Sequence, residues 1–274
     1  IGIALEEDSE PMKKMNLFSG HVSGSKHRLF TRLLSLSLVF AVVFFASCNM
    51  EGNTSSEEAS GTEESYSDNY VTQDSESQAD MSPAEAVQML KDGNARFVNQ
   101  EMTNRDFISQ VQKTSSGQYP FAAVVSCIDS RIPTEIVFDQ GVGDIFNARI
   151  AGNFVNTDIL GSLEFAAAAA GAKTIVVMGH TSCGAVKGAV DDVQLGNLTS
   201  MLDKIEPAIN AISGKGERSS SNDEFVQAVA DKNVELTIEK IKSDSEVLAG
   251  MIDRGEISVV GAMYDVATGK VTFF

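Results

Sequence analysis

The stretch that decides the fold is TIVVMGHTSCG, residues 174–184, in which a short apolar run leads into polar and reactive side chains. A similar run, AAVVS at residues 122–126, leads into CIDSR at residues 127–131. Further β-rich runs occupy residues 144–149 and 257–263, and segments with helical periodicity separate the runs. Strands that alternate with helices predict an α/β domain with a mainly parallel central β-sheet flanked by helices.

Helix and turn signals set the limits of this domain. SPAE at residues 82–85 combines a cap residue, a proline at the first helical position and a capping-box glutamate, so we expect order to begin at Ser82. Residues 158–170 predict a closely packed helix that ends at Gly171. ATGK at residues 267–270 predicts the turn of a terminal hairpin. The predicted domain therefore spans residues 82–274.

The residues before this domain have a different composition. Lysines and arginines precede an uncharged apolar run at residues 33–46, which is shorter than the roughly twenty residues that span a bilayer. FASC, which ends at Cys48, resembles the cleavage box of bacterial lipoproteins. We therefore expect residues 1–48 to direct export and Cys48 to be lipidated, which would anchor the protein in a bacterial membrane on the periplasmic side or at the cell surface. A plain signal peptide and a short membrane anchor are the alternatives.

Residues 49–81 carry many acidic and small polar side chains and few apolar ones. Such a segment buries too little apolar surface to offset the entropy lost on ordering, so it is predicted to be a disordered acidic tether. The net charge of −17 disfavours nucleic acid as a partner, because phosphate binding needs clustered basic residues.

Three residues that suit a metal follow the two central strands. Cys127 ends the first run, whereas His180 and Cys183 end the second, and parallel strands place their functional groups at their carboxyl ends. Two thiolates and one imidazole suit zinc and leave a fourth position open for water. Taken singly, each cysteine is more typical of a small buried apolar residue. A dithiol redox pair is a further alternative, although the cysteines form no CxxC motif.

CIDSR and HTSCGAV resemble the two signature motifs of the β-class carbonic anhydrases, Cys-x-Asp-x-Arg and His-x-x-Cys. FDQGVGDIFNARIAGN, GSLEF and GAMYDVATGKVTFF also resemble stretches of bacterial members, in the same order, so the similarity covers residues 82–274. Ile150 stands where many members have asparagine, a change that we expect to tune packing.

The resemblance implies a zinc lyase that hydrates carbon dioxide reversibly to bicarbonate and a proton by means of zinc-bound hydroxide. It implies one Zn²⁺ per subunit, held by Cys127, His180 and Cys183, and a neighbouring dyad of Asp129 and Arg131. In some members the residue equivalent to Asp129 serves as a fourth ligand in a closed state. Hydrolysis of carbon disulfide or carbonyl sulfide at the same site, and a non-catalytic zinc scaffold, are the alternative functions.

The resemblance also implies substrate-binding residues and an assembly. Members form dimers or larger oligomers with the cleft between subunits, so a homodimer or tetramer is expected. The substrate-binding positions of the family fall on Gln118, Phe146, Ala151, Phe165 and Gly184.

Overall fold

The computed structural model describes residues 71–274. The predicted signal region, Cys48 and the tether up to residue 70 lie outside these residues. Within the described part, the strands are β1 (Ala122–Ser126), β2 (Ile145–Arg149), β3 (Thr174–His180), β4 (Ser258–Tyr264) and β5 (Val271–Phe273). The helices are α1 (Ser75–Asp80), α2 (Pro83–Asn99), α3 (Phe107–Thr114), α4 (Thr134–Val137), α5 (Thr157–Glu164), α6 (Gly184–Val190), α7 (Gly196–Leu202), α8 (Glu206–Ala211), α9 (Asp223–Asp244) and α10 (Glu246–Asp253). A π-helical turn, Phe165–Ala169, continues α5.

The strands form one sheet in the order β2-β1-β3-β4-β5. β1 to β4 run parallel, and β5 pairs antiparallel with β4 as the second strand of the predicted hairpin. The prediction of a mainly parallel α/β sheet is therefore confirmed. Ser126, the last residue of β1, pairs with Met178 in β3 and with Arg149 in β2, so the carboxyl ends of these three strands lie at one edge.

Both faces of the sheet are buried, which explains why the central strands are apolar at nearly every position. Val124 and Val176 belong to the core on one face, together with Leu90 of α2. Val125 and Val177 belong to the core on the other face. The long helix α9 contributes to both cores, so it ties the two layers together.

The predicted helix boundaries in α2 and α5 agree with the structure. The Ser82 side chain accepts a hydrogen bond from the amide of Glu85, and the Glu85 carboxylate accepts one from the amide of Ser82. Pro83 takes the first helical position. Gly171, at φ +83°, ends the alanine-rich segment in the left-handed conformation that glycine adopts at least cost.

The tether ends earlier than residue 81, which corrects its predicted boundary. Ser75–Asp80 forms helix α1, and Asp74 caps its first turn. Gln78 is buried and donates hydrogen bonds to the carbonyls of Pro120 and Ala170 at 2.6 and 2.8 Å. The composition of the segment predicts disorder because it shows no apolar face, whereas α1 is held by polar contacts with residues distant in the sequence, which include a hydrogen bond from Lys173 to the carbonyl of Ala79.

None of the described helices is long and apolar enough to cross a membrane.

Candidate metal centre

The carboxyl ends of β1 and β3 bring Cys127, His180 and Cys183 together. Cys127 directly follows β1, His180 is the last residue of β3, and Cys183 precedes α6. All three residues are buried, and one ligand atom from each lies within 4.8 Å of the others. Cys127 lies 53 positions from His180 and 56 from Cys183 in the sequence, and the three residues converge because β1 and β3 are adjacent and parallel.

One hydrogen bond orients the ring of His180. His180 Nδ1 lies 2.9 Å from the carbonyl of Thr181, which can only accept, so Nδ1 donates in this contact and Nε2 is the nitrogen left for a metal. Nε2 is buried and has no hydrogen-bond partner among the described residues. A buried nitrogen aimed at two thiols, with its lone pair unused, fits a metal ligand.

The two thiols differ in acidity because they interact with each other. A hydrogen bond from Cys183 lowers the pKa of Cys127 against the opposing effect of burial, and the contacts with His180 and with the backbone amides of Gly152 and Asp129 lower it further. The same contact, together with burial, raises the pKa of Cys183, although the amides of Ala185 and Val186 oppose this shift. These amides support negative charge on both sulfur atoms, so the pocket favours thiolates once a cation is present.

A carboxylate stands beside this cluster. Asp129 Oδ2 lies 4.0 Å from His180 Nε2. Arg131 donates to both carboxylate oxygens of Asp129, from Nε at 2.8 Å and from Nη2 at 2.7 Å, and its backbone amide adds a third bond. The hydrogen bonds from Arg131 hold the pKa of Asp129 well below its usual range, so the carboxylate is ionised at neutral pH and acts as an acceptor.

A small pocket of about 280 Å³ opens beside the cluster. Most of its wall is apolar, from α6 and α7, and Asp129 contributes the charged group. Its lining residues are Cys127, Ile128, Asp129, Ala151, Gly184, Ala185, Gly188, Leu198 and Leu202. An apolar chamber with a metal-ligand cluster and one ionised acceptor suits a small, weakly polar substrate.

The chain is similar in sequence and fold to known proteins. A family model described as carbonic anhydrase matches residues 122–271, more than half of the chain. The carbonic anhydrase of Mycolicibacterium smegmatis is 35% identical over 195 residues, which cover 69% of this chain and 92% of that protein. Carbonic anhydrase 2 of Mycobacterium tuberculosis is 33% identical over 194 residues, which cover 69% of this chain and 91% of that protein.

The chain belongs to the β-class carbonic anhydrases. Solved structures of the class agree with this assignment. The Coccomyxa β-carbonic anhydrase in complex with acetazolamide has a TM-score of 0.54 and 26% identity over 60% of this chain and 75% of that one. One of two tetrameric β-carbonic anhydrases of Sordaria macrospora has a TM-score of 0.53 and 25% identity over 70% of this chain and 95% of that one.

The structure brings some of the predicted substrate-binding residues to the pocket of this β-carbonic anhydrase and leaves others apart. Ala151 and Gly184 line the pocket beside the metal-ligand cluster. Phe146 and Phe165 line a separate groove, where their rings meet edge to face at 6.1 Å, and Phe165 is 54% exposed. Gln118 is exposed to solvent. Within a single described chain these last three residues therefore do not line the metal pocket, and their substrate role stays a prediction for an assembly of subunits.

Sequence reasoning missed six contributors to the site, namely Arg149 and five residues that line the pocket: Ile128, Ala185, Gly188, Leu198 and Leu202. Arg149 donates to the carbonyls of Cys127 and Asp129, and Leu198 and Leu202 close the pocket from α7. Arg149 could have been suspected because it stands in the RIAGN stretch that resembles the family. Nothing in the local sequence of the two leucines marks them, because their role depends on how α7 folds back onto α6.

Proposed function

We propose that this β-carbonic anhydrase hydrates carbon dioxide reversibly to bicarbonate and a proton, with one Zn²⁺ per chain held by Cys127, His180 and Cys183. The observation that carries the proposal is the pairing of this buried ligand cluster with an ionised carboxylate 4.0 Å from His180 Nε2. Two sulfur ligands and one nitrogen ligand match zinc, and three ligands from the protein leave a coordination position open. When bound, zinc lowers the pKa of a water molecule to about 7 and so supplies hydroxide near neutral pH.

The residues of the chain have separate roles in this proposal. Asp129 accepts a hydrogen bond from the attacking oxygen and so directs its lone pair toward the substrate. Arg131 keeps Asp129 ionised and restricts its rotation by binding both carboxylate oxygens. The apolar walls from α6 and α7 hold carbon dioxide, which needs no charged partner. The same walls bind the bicarbonate anion weakly, so the product can leave.

We also propose that the enzyme works as a homodimer or tetramer. Phe165 is exposed, and Gln118, Phe146 and Phe165 lie away from the metal pocket of their own chain. A neighbouring copy of the chain would bring such residues to the pocket mouth. The tetrameric Sordaria macrospora enzymes support an oligomer as the working form.

The proposal for localisation concerns residues outside the described part. We propose that the protein is exported and anchored through lipid on Cys48, because basic residues, an apolar run and small residues precede this cysteine in the order typical of lipoproteins.

A stopped-flow hydration assay on the full chain, with metal content measured on the same sample, tests the proposed activity. We expect the hydration rate to rise in proportion to bound zinc, to disappear after chelation and to return when zinc is restored. Release of sulfide from carbonyl sulfide, measured in parallel, is expected to be the slower reaction. Stoichiometric zinc without hydration, and without exchange of isotopic oxygen from carbon dioxide, would overturn the proposal.

A further inference from the structure

We propose that Arg149 is a positioning residue for this reaction, because its guanidinium fixes the peptide that carries Cys127 and Asp129. The inference rests on the proposed function. Arg149 ends β2 directly opposite Ser126, which ends β1, and the amide of Ile150 continues the pairing by donating to the carbonyl of Ser126 at 3.0 Å. The backbone of Arg149 is therefore fixed beside the first residue of the metal-binding loop.

The side chain of Arg149 then spans that loop. Nε donates to the carbonyl of Cys127 at 3.0 Å, and Nη2 donates to the carbonyl of Asp129 at 2.6 Å. These carbonyls flank Ile128, a residue that is 60% exposed and contributes little to the core beneath the loop. A planar guanidinium can hold two carbonyls two residues apart, whereas an ammonium group is a single point of charge.

The contact from Arg149 matters because the hydrogen bonds between Asp129 and Arg131 do not fix these two residues relative to the sheet. Arg131 grips Asp129, but both residues belong to the same loop, and the Arg131 side chain is 51% exposed. The position of the carboxylate relative to His180 Nε2 therefore depends on contacts from neighbouring strands, one of which is the hydrogen bond that the Tyr264 hydroxyl donates to the carbonyl of Arg131 at 3.4 Å. Arg149 ties the loop to the end of the neighbouring strand β2 through the carbonyls of Cys127 and Asp129. The end of β2 thus sets both the direction of the first ligand and the place of the carboxylate.

The test compares Arg149→Ala and Arg149→Lys with a matched control, Arg254→Ala. Arg254 is also exposed and also binds through Nε and Nη2, but its partner is Glu256, in the turn that precedes β4 and so at the opposite end of the strands. We expect both Arg149 variants to fold and to bind metal stoichiometrically. Their kcat should fall by about tenfold or more with little change in KM, because the pocket walls are unchanged. Guanidinium ions added at non-denaturing concentration should restore part of the rate of Arg149→Ala, and Arg254→Ala should match the unmodified enzyme.

Visible absorption of Co²⁺ substituted into the site gives a readout that does not depend on activity. A displaced loop changes the position of the Cys127 sulfur, so the cobalt bands of both Arg149 variants should differ from those of the unmodified protein and of Arg254→Ala. If Arg149→Ala fails to fold, Arg149→Lys tests the positioning role by itself. Lysine keeps the positive charge and the aliphatic part of the side chain but lacks the planar guanidinium that donates to two carbonyls.

The outcomes separate this inference from the proposed function. An unmodified protein that binds zinc but does not hydrate carbon dioxide would overturn the proposed function. The cobalt spectra would still test whether Arg149 positions the metal-binding loop. Arg149 variants with unchanged spectra and unchanged kcat would overturn the positioning role while leaving the proposed function intact.

Discussion

Asp139→Asn should destabilise the domain strongly without removing metal. Asp139 is fully buried at the end of α4 and binds both Arg96 and Arg105, whose side chains are 35% and 2% exposed. The amide and hydroxyl of Thr103 donate to the same carboxylate at 3.1 and 3.0 Å. Asparagine has nearly the same shape and tolerates the left-handed backbone at this position, φ +46°, so the substitution removes charge without adding strain.

The size of the effect follows from the burial of the pair. Breaking a buried ion pair by removing one charge costs about 3–5 kcal/mol, because the remaining charge loses its partner and cannot regain water. Arg105 is the more buried of the two partners and keeps other contacts, including its hydrogen bond to the carbonyl of Thr103, whereas Arg96 is partly solvated and contributes less. We take the lower end, about 3 kcal/mol, because asparagine keeps one acceptor oxygen. For a domain of this size each kcal/mol lowers Tm by about 2–4 °C, so Tm should fall by about 10 °C.

The loss should depend on pH with a definite sign. Burial alone would raise the pKa of Asp139, but the hydrogen bonds from Arg96 and Arg105 outweigh it and lower the pKa. A carboxyl whose pKa is lower in the folded state stabilises the protein above its unfolded pKa of about 3.9 and loses this effect as pH falls through the folded value. The difference between Asp139→Asn and the unmodified protein should therefore be full at pH 7 and shrink below about pH 4.

Thermal unfolding at several pH values, with zinc content measured in parallel, checks this prediction. Asp253→Asn is the matched control, because Asp253 is exposed. We expect the control to unfold with the unmodified protein and both variants to keep their metal. A Tm for Asp139→Asn within about 2 °C of the control at pH 7 would refute the reasoning, since that shift corresponds to about 1 kcal/mol or less.

Three further predictions concern the metal, the dyad and the export signal. Cys127→Ala, His180→Ala and Cys183→Ala should each abolish stoichiometric zinc binding and lower Tm, because the free energy of metal binding is partly folding free energy. Elemental analysis of the purified variants measures the zinc content. A full complement of zinc in any of the three would show that the proposed ligand set is wrong. Asp129→Asn should keep zinc and fold but lower turnover, and Arg131→Lys should lower it through loss of the planar fork; hydration at the unmodified rate by both would contradict the dyad. Mass spectrometry of membrane-extracted protein should find an acylated N-terminus at Cys48, whereas a soluble mature protein that begins elsewhere would contradict lipidation.

The sequence by itself determined the features that depend on neighbouring residues. The β-branched runs of β1 and β3, the cap at Ser82 and the stop at Gly171 depend on local backbone preferences, and all of them agree with the structure. The convergence of Cys127 on His180 also followed, because parallel strands place their carboxyl ends at one edge.

Only the tertiary structure decided the contacts between segments distant in the sequence. Gln78 attaches α1 to the domain through hydrogen bonds to the carbonyls of Pro120 and Ala170. Arg149 donates hydrogen bonds to a loop some twenty residues earlier in the sequence. Asp139 forms ion pairs with both Arg96 and Arg105. Each of these side chains is polar, so composition alone assigns it to a solvated surface. Its role comes from a carbonyl or a charge that the fold brings within hydrogen-bond distance, and the free energy of such a bond depends on burial that no local pattern records.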